Sequence, residues 1–161
     1  MLRHSFRRLF AAGAEATHEH TNRLLLTMGS PYESIFLKKP IESLTVPGRE
    51  GSFTVTNNHS QLVSQLQPGP ITVKAGDGGE SSTYFISDGF LFFNQPSDGS
   101  GCCTVEVSGF EIVPTDMLDK EKAAALLVEL NAGPKDTEWD KAKIQLGSGL
   151  LNQVIKSATG A

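Results

Sequence analysis

The sequence predicts a segregated α+β chain, with an antiparallel β-sandwich or barrel first and an α-helical hairpin after it. Three observations carry that expectation. Short apolar runs bounded by Gly, Pro, Asn and Asp fill residues 22–113, the pattern of an antiparallel β-domain with tight turns. From Pro114 the apolar period lengthens from two to that of a helix. Gly133-Pro134 then divides the helical part in two.

The first strand falls within Asn22–Met28, around Leu24-Leu25-Leu26, and Gly29-Ser30-Pro31 ends it. Tyr32–Leu37 and Ile41–Val46 follow as separate strands, the second running into a Pro47-Gly48 corner. Phe53–Val55 is short, and Leu62–Leu66 ends at a second corner, Pro68-Gly69. Ile71–Ala75 alternates strictly, with Ile71, Val73 and Ala75 on one face. Gly76-Asp77-Gly78-Gly79 makes a hairpin turn into Thr83–Ser87, and Asp88-Gly89 makes the next. Phe90-Leu91-Phe92-Phe93 is apolar at successive positions, which predicts a central strand covered on both faces. Cys103–Val107 and Phe110–Val113 complete the set.

Thr115 or Asp116 caps a first helix that begins near Met117 and runs through Ala123–Val128. Thr137-Glu138-Trp139-Asp140 has the frame of a capping box with Asp in place of Glu. Trp139, Ala142, Leu146, Leu150 and Val154 then recur at helical spacing, a stripe for the first helix, the sandwich or a partner. Gly147 and Gly149 weaken this second helix by roughly 1 kcal/mol each relative to Ala. The expected organisation is an N-terminal extension over residues 1–20, a β-sandwich over 21–114 and a helical hairpin over 115–161.

Composition narrows the function. The chain has 161 residues and a net charge of −4, with no clustered basic face for nucleic acid and no apolar run of membrane-spanning length. Cys102 and Cys103 are adjacent; strand neighbours point to opposite faces, so a mutual bridge is strained. One is expected buried and the other partly exposed. Residues 1–12 are basic, free of acid and amphipathic if helical, the composition of a mitochondrial targeting segment or of a retained basic arm.

No catalytic constellation emerges: there is no nucleophile elbow, zinc-protease helix, P-loop or spaced cysteine pair. His18 and His20 lack a third ligand nearby, so no metal site is expected. Gly147-Ser148-Gly149 follows no strand and is no dinucleotide fingerprint. Lys38-Lys39 reads as a solubilising turn, and Glu121, Glu129 and Asp140 as helix-face charges. His59 reads most simply as a solvated loop histidine.

One ordered set of turns is more specific than its parts. Val46-Pro47-Gly48-Arg49-Glu50-Gly51-Ser52-Phe53, Val55, His59 and Leu62 are followed by Leu66-Gln67-Pro68-Gly69 and Tyr84-Phe85-Ile86-Ser87-Asp88-Gly89-Phe90. Over about residues 22–131 the chain resembles the delta-subunit family of mitochondrial F-type ATP synthases, the counterpart of bacterial and chloroplast epsilon. It departs from the family pattern at Thr54, at Thr56-Asn57, at Gln61 and at Asp88.

The resemblance implies a sandwich of ten strands, a helical hairpin, and a place in the rotating central stalk on the matrix side of the inner membrane. The implied partners are the gamma subunit, the membrane c-ring and the small mitochondrial epsilon subunit, with no cofactor and no active site. It makes Glu50, Gly51, Ser52 and His59 candidates for the c-ring interface, and Pro47, Gly48, Pro68, Gly69 and Gly89 structural turns. Some bacterial relatives bind ATP through a motif whose frame Leu118-Asp119-Lys120-Glu121-Lys122-Ala123 shares, with Lys122 where the motif has Arg; Lys lacks the planar fork. The alternatives are a nucleotide-sensing inhibitor of the ATPase and an independent sandwich binding module.

Overall fold

A computed structural model describes residues 23–76, 79–96 and 99–158. The basic N-terminal segment, His18, His20, and Asp77 and Gly78 of the glycine-rich turn lie outside those residues. Among the described residues nine strands precede two helices: β1 Leu24–Gly29, β2 Ser34–Gly48, β3 Gly51–Thr56, β4 Leu62–Leu66, β5 Gly69–Ala75, β6 Ser81–Ile86, β7 Gly89–Asn94, β8 Thr104–Gly109, β9 Ile112–Pro114, α1 Lys120–Ala132 and α2 Glu138–Ala158. The sandwich with a helical hairpin is as the sequence predicts.

Nine described strands stand where about ten were expected, because the two runs before Pro47 form one 15-residue strand. Its ladder with β1 is irregular between Leu26 and Met28, and Lys38, in the same region, has φ of 49°. β2 therefore bends rather than breaks and serves both layers. Its first half pairs with β1, and its second half with β3 and β5. One layer runs β1-β8-β7-β4 and the other β3-β2-β5-β6-β9, with β4 touching β2 at Gly48–Leu66. Leu24, Leu26, Leu44, Val46, Val55, Ile71, Ile86, Leu91, Phe93 and Val105 fill the space between. Each comes from the inward phase of its strand, which is why the period-two runs were readable.

Three local expectations change. β7 is covered on one face only: Leu91 and Phe93 are buried, while Phe90 and Phe92 are 48% and 37% exposed. A run of four apolar residues does not say whether both faces find cover. Cys102 and Cys103 are both buried. Cys103 faces the core, and Cys102, which precedes β8, is not held to strand alternation. Thr115–Met117 form a 3-10 turn, and the cap of α1 is Asp119, whose side chain accepts from the Lys122 N–H. The capping box of α2 is present: Thr137 Oγ1 accepts from the Asp140 N–H at 3.0 Å, and Asp140 Oδ2 accepts from the Thr137 N–H at 3.1 Å.

The stripe on α2 divides between the hairpin and the surface. Trp139 and Leu146 of the expected stripe are 77% and 75% exposed. The inner face instead brings Ile144 and Leu151 to a groove shared with Leu126 and Leu130. The last turn of α2 reaches back to the sandwich, where Gln153, Lys156 and Ser157 face Pro47, Pro68 and Pro70 across a cleft of about 540 Å³.

Candidate functional site

The two Pro/Gly corners form one unit. Arg49 and Glu50 make the turn between β2 and β3, flanked by the pair Gly48–Gly51. Gly51 has φ of 132°, a conformation that favours glycine. The Arg49 N–H donates to the Gln65 carbonyl at 3.1 Å, and its guanidinium donates to Gln65 Oε1 at 3.1 Å. The Gln67 N–H donates to the Pro47 carbonyl at 2.9 Å. A β-carbon on Gly69 would lie 2.9 Å from Pro47 Cβ, and one on Gly48 would lie 2.7 Å from Phe53 Cε1. The corners interlock because glycine lets each backbone approach a proline or phenylalanine ring. Glu50, Gly51 and Ser52 are exposed on this fixed base, and Gly51 and Ser52 also line the cleft that Gln153, Lys156 and Ser157 of α2 face.

His59 lies elsewhere. It follows the far end of β3, and five strand steps separate Gly51 from Thr56, about 17 Å. Its ring packs edge-on against Phe93 with centroids 5.5 Å apart, and Nδ1 contacts the Ser60 carbonyl at 2.8 Å. A carbonyl accepts, so the Nδ1–H tautomer fits that contact. The His59 N–H donates to the Thr56 carbonyl, and Gln95 Nε2 donates to the His59 carbonyl. Of the four c-ring candidates, three are contiguous and His59 is separate.

The loop preceding His59 is tied down by Asn57, which departs from the family pattern, and by Asn58. Asn57 Nδ2 donates to the Gly101 carbonyl at 3.0 Å, and Asn57 Oδ1 accepts from the Cys103 N–H at 3.0 Å. The Asn58 N–H donates to Cys103 Sγ at 3.4 Å.

Leu118, Asp119, Lys122 and Ala123 sit at the start of α1. The Asp119 carboxylate accepts from the Lys122 N–H at 2.9 Å and pairs with Lys122 Nζ at 3.3 Å. That backbone hydrogen bond is the chief reason its pKa lies below the ordinary carboxylate value. Ala123 is buried. Capping accounts for these contacts, and they leave the carboxylate engaged with its own helix. Among the described residues no group of three His, Cys, Asp or Glu side chains could hold a metal ion.

One surface was not legible in advance. Val63 on β4 pairs with Phe92 on β7, and Phe90 lies beside Phe92 with ring centroids 6.4 Å apart. Val63 is 67% exposed. These three make an apolar patch on the outer face of the β4–β7 ladder. Trp139 and Leu146 expose a second on α2. The sequence marks such residues as apolar, but only the fold says that they face outward.

Residues 24–97 match the family model described as the ATP synthase delta/epsilon chain, beta-sandwich domain. The mitochondrial ATP synthase F(1) complex subunit delta of Dictyostelium discoideum is 31% identical over 139 residues, spanning 86% of this chain and 76% of that protein. The mitochondrial ATP synthase subunit delta of Trypanosoma brucei brucei is 32% identical over 142 residues, spanning 87% and 74%. A solved chain of the Euglena gracilis mitochondrial ATP synthase, a structure of its OSCP, F1 and c-ring, superposes with a TM-score of 0.74 at 27% identity, covering 86% of this chain and 82% of that one. A chain from the Tetrahymena thermophila central stalk and c-ring shares the fold at a TM-score of 0.61 and 15% identity. Identity at this level over most of both chains, on the same sandwich and hairpin, places the chain in the mitochondrial ATP synthase delta-subunit family.

Proposed function

We propose that this chain works as a central-stalk rotor subunit of the mitochondrial F-type ATP synthase, on the matrix side of the inner membrane, coupling rotation of the c-ring to gamma. The observation that carries this beyond family membership is the interlocked base of Pro47, Gly48, Pro68 and Gly69 under the Arg49–Ser52 turn. Transmitting torque needs a body of low compressibility, and a turn seated on two packed corners moves with that body. Glu50 is the charged docking group of this end, facing the polar loops of the ring. No catalytic role follows from the residues around it; the subunit contributes shape and contact rather than chemistry.

The two apolar patches suit the remaining partners. Exposed aromatic and aliphatic side chains gathered on one face are typical of surfaces that another protein covers. The Val63–Phe92 face and the Trp139–Leu146 face are sites for gamma and for the small epsilon subunit. The test is Glu50→Lys in the assembled synthase, read as oligomycin-sensitive ATP hydrolysis and proton pumping, together with recovery of gamma and c-ring. Hydrolysis that persists while pumping falls supports the reading. Pumping and recovery unchanged by Glu50→Lys remove the docking role from this turn.

A further inference from the structure

We propose that the open edge of β3 is a strand-pairing site, which takes an extended segment of a neighbouring central-stalk subunit as an added β-strand. The proposal rests on the rotor reading above.

The two outer edges of this layer differ. β9 has three residues and ends at Pro114, so it offers little to pair with. β3 has six residues, Gly51-Ser52-Phe53-Thr54-Val55-Thr56, with no charge and no proline. Among the described residues β3 pairs with β2 alone. Soluble proteins blunt exposed edges with lysine, proline, bulges or a covering loop, and β3 carries none of the first three.

The phase of its ladder can be read from Pro47. Proline has no N–H, so Pro47–Ser52 is a non-hydrogen-bonded pair, and the unbroken register makes Thr45–Thr54 and Ser43–Thr56 pairs of the same kind. Side chains approach most closely in such pairs, and Thr45 Oγ1 and Thr54 Oγ1 are 2.8 Å apart. Residues in these pairs aim their own N–H and C=O away from β2. The Thr56 carbonyl is taken by the His59 N–H. Ser52 and Thr54 thus present both backbone groups to the open side, and Thr56 its N–H. Those groups are complementary to a peptide strand, and main-chain pairing is how edges bind extended segments. Exposed Ser52, Thr54 and Thr56 lie on one face of the edge, while Phe53 is half-buried on the other. The incoming strand is therefore one that alternates polar and apolar residues.

Hydrogen exchange of residues 51–57 in the isolated full-length chain and in the purified synthase tests this. In the isolated chain the Ser52 and Thr54 amides should exchange at least about 100-fold faster than those of Phe53 and Val55, and in the complex at least about 10-fold slower than in the isolated chain. Thr54→Pro removes an outward N–H and the hydroxyl contact to Thr45 but no backbone bond to β2, so it should leave the β2 ladder protected yet abolish the slowing in the complex; Thr54→Val, which removes the hydroxyl alone, should behave as the parent. Unchanged exchange in a complex that contains the chain overturns the strand-pairing site alone. So does protection already present in the isolated chain, which means that the edge is covered without any stalk subunit. A chain that co-purifies with no stalk subunit overturns both this and the rotor reading.

Discussion

Leu130 occupies the space that a β-carbon on Gly147 would fill, its Cδ2 lying 2.6 Å from that position. Gly147 is a seat for α1 on α2, not merely a weak point in a helix. Gly149 differs, because a β-carbon there meets nothing within 4 Å. Both glycines carry the same helix-propensity cost, so their alanine variants should separate. Gly149→Ala should stabilise the hairpin by about 0.5–1 kcal/mol. Gly147→Ala should gain less, since the Leu130 side chain has to rotate away, and Gly147→Val should lose about 1–3 kcal/mol through overpacking. Thermal unfolding followed by helical circular dichroism ranks the three.

The hairpin should loosen in acid. Asp140 is held below the ordinary carboxylate range by the Thr137 hydroxyl first and by the Thr137 N–H second. Asp119 is held below it chiefly by the Lys122 N–H. A carboxylate with a depressed folded-state pKa contributes stability that is present above its unfolded pKa and lost as pH falls through the folded value. Helix signal should therefore be constant above about pH 5 and should decline below about pH 4. Asp119→Asn and Asp140→Asn keep an acceptor but lose the charge, so each should flatten that decline. An acid transition unchanged in the double variant would assign it to other carboxylates.

Strand positions and helix existence were legible because burial here follows the simplest rules. Leu24, Leu26, Ile71 and Val73 alternate and are buried, and Thr137 and Asp140 cap where their spacing says. What was hidden depends on partners across the fold. Phe90 and Phe92 look like core until β7 is seen with one face uncovered. Asp119 lost to Thr115 and Asp116 as a cap because a 3-10 turn displaces the helix start, and a single short turn leaves no periodic trace. The corners were visible as Pro47-Gly48 and Pro68-Gly69. That Gly69 packs on Pro47 was not, since the contact joins distant positions. Likewise Glu50 and His59 are close in sequence, yet one strand length separates them.

Gly89 should tolerate no side chain. It begins β7 between Leu66 of β4 and Gly109 of β8. A β-carbon there would collide with the Ser108 carbonyl and lie 2.8 Å from Gly109 Cα. Both obstacles are backbone within a paired strand, so relief requires moving the β7–β8 ladder. Gly89→Ala should cost at least about 2 kcal/mol in denaturant unfolding. Gly76→Ala, where a β-carbon meets nothing within 4 Å, is the matched control and should stay within about 0.5 kcal/mol of the parent.

The Asn57 clamp gives a prediction with opposite pH dependence. Its amide nitrogen donates to the Gly101 carbonyl while its amide oxygen accepts from the Cys103 N–H. Asn57→Ala leaves that N–H, on a buried residue, without its acceptor and should cost about 1–3 kcal/mol. Asn57→Asp keeps the acceptor toward Cys103 but sets a carboxylate oxygen against the Gly101 carbonyl, two acceptors facing each other. Protonation converts that oxygen to a donor, so the folded state should favour the neutral acid and raise the pKa of the introduced carboxyl. A group whose folded pKa is raised contributes stability present below its unfolded pKa and lost as pH rises through the folded value. Asn57→Asp should therefore be destabilised at pH 7 and recover toward pH 4, while Asn57→Ala recovers nothing over that range. Urea unfolding of both variants at the two pH values decides it. Parallel behaviour would mean that the contact to Gly101 contributes nothing to holding the loop before His59.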